Sequence, residues 1–158
     1  MEFTKPVSFA KQIAIYLRSR MDEKAYQASK DFVKQFPGEL MAHVLLAESA
    51  FRLGRFSEAK VEGRKALRYA TSENDMVFCA MVFSSACFHL KDYIEGYRLL
   101  KEISSKKSIV EVEEALFVFS LAMKDEEKAI GHMKNLLQMN HARALELMRV
   151  YLHSLPSE

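Results

Sequence analysis

The chain has 158 residues, of which 49% are hydrophobic and 28% charged, and its net charge is +2. This length and balance suit one folded domain with a core of its own and exclude a disordered or collagen-like chain. With so little excess charge, attraction to nucleic acid or acidic lipid would have to come from local clustering.

The opening MEFTKPVSFAK has no basic head followed by a long apolar run, so no signal peptide is expected. No stretch approaches about 18 apolar residues, so no membrane span is expected. The expected location is intracellular, cytoplasmic or, in a eukaryote, nuclear. Three prolines and five glycines are the only strong breakers, and nothing alternates for long with a period of two, so helix is predicted throughout. In chain order the predicted helices span about 6–20, 22–36, 40–53, 56–70, 75–90, 93–104, 110–123, 126–139 and 142–153. The links are turn and capping chemistry: FPGE at 36–39, LGRF at 53–56 and TSEND at 71–75, with SSKKS at 104–108 the most polar. Cys79 and Cys87 lie in an apolar segment without a CxxC pair, which reads as two buried free thiols.

A small residue recurs in alternate helices: Ala25 in DEKAYQA, Ala59 in FSEAKVE, Gly96 in YIEGYRL and Ala129 in DEEKAIG, at separations of 34, 37 and 33 residues. Two helices approach closely only where one side chain is no larger than a methyl group. In RLGRFSEAK, residues 52–60, Gly54 suits a left-handed turn, Phe56 opens the second helix and Ala59 marks the crossing. This unit and its spacing resemble the tetratricopeptide repeat family. Tyr93 and Gly96 keep the pattern in the third copy, where Lys91 stands in place of the turn glycine, and Phe117 departs from it in the fourth. The resemblance implies an all-α fold: a right-handed α-solenoid of about four helix–turn–helix repeats, at about 5–38, 40–73, 75–108 and 110–141, in one domain covering 1–158. A capping helix at 142–155 would cover the last hairpin with Leu145, Met148, Leu152 and Leu155, leaving Arg143, Glu146 and Arg149 outward.

No catalytic constellation is evident. His43, His89, His132, His141 and His153 are scattered over five predicted helices without an HxxxH or HExxH pair, and are read as surface or packed-edge residues. The acidic runs at 111–114 and 125–128 open helices, where carboxylates meet the dipole favourably. No phosphate-cradling glycine motif occurs, and no metal, cofactor or enzymatic activity is expected. The densest basic group, Arg52, Arg55, Lys60, Arg64, Lys65 and Arg68, is interleaved with Glu48, Glu58 and Glu62, so it reads as a solvated, ion-paired surface and argues against nucleic acid.

In the architecture that the resemblance implies, the first helices of successive hairpins line a groove. The matching positions are Val7, Ala10, Ala14 and Leu17; Met41, Val44, Glu48 and Phe51; Phe78, Met81, Ser85 and Phe88; and Glu111, Glu114, Val118 and Leu121. They lack the lysine and asparagine clamp of the family's chaperone-binding members. The central eight form an apolar surface that is either self-filled core or a seat for a partner peptide, an amphipathic helix or a second copy. The expected role is a non-catalytic adaptor or scaffold. Two versions are a chaperone shielding a hydrophobic export client and a subunit of a large assembly such as the anaphase-promoting complex.

Overall fold

The computed structural model describes residues 5–154, with side chains at 5–151. Among these residues there are nine helices and no strand: α1 Pro6–Arg18, α2 Asp22–Gln35, α3 Leu40–Arg52, α4 Phe56–Tyr69, α5 Glu73–His89, α6 Tyr93–Lys106, α7 Val110–Ala122, α8 Glu126–Met139 and α9 His141–Ser154. Each predicted helix exists, and the ends move for local reasons. Helix α5 starts two residues early because Ser72 is its N-cap, its side chain accepting the Asp75 amide. Helix α6 runs on through Ser104 and Ser105, so the polar 104–108 link shrinks to 107–109. Asp125 caps α8 through the Lys128 amide, and Asn140 accepts the Arg143 amide at the start of α9.

One backbone device closes four helices. Arg20, Gly54, Lys91 and Lys124 have φ of 56°, 76°, 62° and 57°, each five residues before the recurring small residue. At each, the left-handed residue donates its amide three residues back (Arg20 to Leu17, Gly54 to Phe51, Lys91 to Phe88, Lys124 to Leu121). The next residue donates five back (Met21 to Tyr16, Arg55 to Ala50, Asp92 to Cys87, Asp125 to Ser120). Orphan carbonyls at the helix ends are thereby satisfied.

The chain divides into two compact units, Met1–Asp92 and Tyr93–Glu158. In the first, α1 to α4 form two hairpins and α5 packs on α3 and α4. Phe9, Phe32 and Phe36 fill the first hairpin, Phe9 stacked on Phe32 at 5.0 Å and both edge-on to Phe36. Ala25 and Ala59 are fully buried, in line with their role as crossing points. A further close approach lies outside the series of recurring small residues: a Cβ on Gly63 of α4 would lie 3.2 Å from the Phe83 Cα of α5. Helix α5 has no charge after Asp75 and is apolar around its circumference.

In the second unit α7 packs between α6 and α8, and α9 covers α8. Gly96 and Ala129 are buried, and Tyr93 meets the Phe119 ring edge-on. Phe117, too large for its place in the repeat pattern, is accommodated by an edge-on contact with Tyr151 of α9. The buried side of α9 is rotated from the expected one. Ala144, Leu147, Met148 and Tyr151 face the core, whereas Leu145 is 38% exposed. Arg143 does not point freely outward but forks both oxygens of Glu114. The Leu152 side chain and Leu155 lie outside the described residues.

Candidate interaction site

The eight central groove positions separate by burial. Met41 of α3 and Phe78 of α5 are open, 44% and 54% exposed. Glu48, Met81, Ser85 and Phe88 are half-buried, Glu48 accepting from Arg52 at 3.0 Å. Val44 is a correction: only 3% exposed, it belongs to the core with Ala66 and Cys79, because α3 is flanked by α1, α2, α4 and α5. Phe51 lies edge-on to Phe56 and His89, so its ring joins the α3–α4 turn to α5. On α1, Val7 is exposed, Ala10 and Ala14 half-buried and Leu17 buried. On α7, Glu111 and Val118 are exposed, Glu114 is held by Arg143, and Leu121 packs towards α8 and α9. Of the eight positions, Met41 and Phe78 are therefore the open apolar ones, with Met81 and Phe88 set deeper.

Of the six basic residues, Arg52, Arg55, Lys60, Arg64 and Lys65 are engaged within the fold. Arg52 donates to the Leu17 carbonyl and lies near Asp22, Lys60 pairs with Asp92 at 2.8 Å, and Lys65 pairs with Glu62 at 3.0 Å. Arg55 and Arg64 sit over the Tyr26 and Phe83 rings.

Two histidines read from sequence as surface or edge residues are instead buried and paired. His43 of α3 meets Glu62 of α4, Nδ1 to Oε2 at 2.8 Å; Glu113 of α7 meets His132 of α8, Oε2 to Nδ1 at 2.9 Å. Positions 43 and 113 are in register in the repeat, as are 62 and 132, so the second pair is the first with its polarity reversed. Glu113 and Glu62 likewise depart from the helix-opening and solvated roles that their sequence neighbours suggest. The available signal is reciprocal: a histidine and a glutamate 19 apart in both hairpins, in opposite order.

Around Glu113 the network is complete. Ser104 donates to Oε1 at 2.7 Å, and His132 and Asn135 reach Oε2. Burial opposes the charge of Glu113, but the hydrogen bonds from Ser104, His132 and Asn135 outweigh it and hold the carboxyl below its usual range. Behind His132, its Nε2 lies 2.8 Å from the Tyr97 hydroxyl, and Tyr97 borders an open cleft of about 500 Å³ with Arg98, Lys101 and Lys128. A tyrosine backed by histidine and glutamate has the connectivity of an acid–base relay. However, burial, with the charges of Asp125 and Glu113, pushes the phenol up, away from the phenolate a nucleophile needs. Burial likewise pushes the Cys79 and Cys87 thiols up to about 11, which opposes reactivity. Among the described residues no group of three or more His, Cys, Asp or Glu could hold a metal ion. No described helix is long and apolar enough to cross a membrane.

This arrangement of hairpins is that of solved tetratricopeptide-repeat structures. TTC0263, a thermophilic TPR protein of Thermus thermophilus, superposes with a TM-score of 0.73 at 17% identity over 95% of this chain and 81% of its own. MamA from Desulfovibrio magneticus gives 0.74 at 13% identity over 97% and 96%, and PilF of Pseudomonas aeruginosa 0.70 at 23% over 93% and 70%. The fold is accordingly an all-α tetratricopeptide-type solenoid. No family model matches the sequence, and no curated protein matches it.

Proposed function

We propose that the chain is a non-catalytic interaction module, an adaptor or scaffold that seats an amphipathic helix or peptide of another protein on the open first-helix surface of its first unit. The carrying observation is helix α5. A helix apolar on every side belongs in a core, yet α5 leaves Phe78 54% exposed and Met81 and Phe88 half-buried, and Met41 on the neighbouring α3 is likewise open. Methionine and phenylalanine together give adaptable packing and a large apolar contact. The tetratricopeptide fold supports this reading because it presents side chains of successive first helices side by side.

A photo-crosslinking residue at position 78, installed in the tagged chain in its own cell, tests it. The expected outcome is one defined protein partner, crosslinked through a single segment and lost when Met41 is changed to aspartate. Crosslinks only between copies of the chain would make this surface a self-association site, and recovery of RNA alone would overturn the proposal.

A further inference from the structure

The two reversed pairs differ in how many protons they require. At His43 both ring nitrogens face acceptors: Nδ1 lies 2.8 Å from Glu62 Oε2, and Nε2 lies 2.7 Å from the Pro37 carbonyl oxygen. A neutral imidazole has a single N–H and cannot donate to both. Wherever the shared proton sits between Nδ1 and Oε2, this pair holds one proton more than a neutral imidazole beside a carboxylate. At His132 the partner of Nε2 is the Tyr97 hydroxyl, which can donate or accept, so the geometry there does not demand a second ring proton.

We propose that His43 is a proton-operated latch: its second proton ties the α2–α3 connection, through the Pro37 carbonyl, to Glu62 on α4, and its loss as pH rises releases that connection. Pro37, Gly38 and Glu39 are exposed, so the connection can move without opening the core. The groups around His43 fit the assignment. From α4, Glu62 takes the ring proton, Lys65 donates to its other oxygen at 3.0 Å, and Tyr69 stacks on the imidazole at 5.3 Å. Helix α5 packs on the same core through Cys79, a thiol that burial and the charge of Asp75 keep protonated. The sign follows from proton counting. The tied form carries one proton more than the released form, so rising pH favours release.

Ring-nitrogen NMR of the full chain tests this directly. Both nitrogens of His43 are expected to show the protonated signal wherever the Pro37 carbonyl carbon shows its hydrogen-bonded shift. The Pro37 carbonyl carbon signal is expected to lose its hydrogen-bonded shift as rising pH bares one His43 nitrogen, and to be insensitive to pH in His43→Gln. His132→Gln should leave the Pro37 profile unchanged. A bare ring nitrogen on His43 while the Pro37 signal keeps its hydrogen-bonded shift would overturn the latch even if His43→Gln did not fold. So would a Pro37 signal that shifts equally in the variant.

Discussion

Lys91 and Lys124 take a left-handed conformation that Gly54 adopts without cost in the equivalent turn. A side chain there strains the backbone by about 1–2 kcal/mol, partly offset by the stiffer unfolded chain. Lys91→Gly and Lys124→Gly should therefore each stabilise the protein by about 0.5–1 kcal/mol, and Gly54→Ala destabilise it by about 1 kcal/mol. Thermal melts followed by circular dichroism check both directions, and equal melting points would show that these turns carry no strain. Because the hydrogen bonds at Glu113 hold its carboxyl below the usual range, its contribution to stability is present above the unfolded carboxyl value and is lost as pH falls through the lowered one. Glu113→Gln should cost about 2–3 kcal/mol near neutral pH, as expected for losing hydrogen bonds to a charged group, and progressively less in acid. Urea titrations of both proteins at several pH values measure the gap. At this scale the sequence was partly legible. Gly54 and the replacement at Lys91 were readable because one residue sets its own φ, but His43 and Glu113 were not, since each acquires its role from a partner 19 residues away.

Among elements, α4 and α8 both carry a glycine inside a helix, with opposite consequences. Gly63 has the Phe83 backbone of α5 within 3.2 Å of a potential Cβ, whereas Gly131 has nothing within 4 Å. Gly131→Ala should stabilise by about 0.5–1 kcal/mol through helix propensity alone. Gly63→Val should destabilise by about 1–3 kcal/mol, because α4 and α5 must separate. Denaturant unfolding of the two variants distinguishes them, and similar effects would mean that the α4–α5 approach is loose. All nine helices were legible because periodicity and breakers act within a single segment. The burial of Gly63 was not, because it is decided by a second helix. The face of α9 slipped for the same reason: Ala144, not Leu145, meets α8, since a small residue allows the closer approach.

For the molecule as a whole, the spacing of Ala25, Ala59, Gly96 and Ala129 carried the repeat architecture, because every hairpin needs its crossing point at the same place. The interaction surface was less legible. Repeat register placed eight residues on one face, but neighbouring helices take Val44 into the core and use Phe51 to join α5, which leaves Met41 and Phe78 open. A double change, Met41→Asp with Phe78→Asp, should leave the melting point within a few degrees, since exposed positions contribute about 0.5 kcal/mol or less each. Co-purification of the partner with the tagged chain should be lost. A variant that unfolds would instead make these side chains part of the core.

The mirrored pairs of His43 with Glu62 and Glu113 with His132 constrain how repeats of this chain can have diverged. If the hairpins descend from copies of one unit, a stepwise change from one polarity to the other passes through two buried histidines or two buried glutamates, and like charges so placed are disfavoured. The register-matched positions elsewhere hold Phe9 and Ala28 in the first repeat and Ala80 and Leu99 in the third. An ancestor apolar at both places, from which each polarity arose separately, avoids the forbidden intermediate.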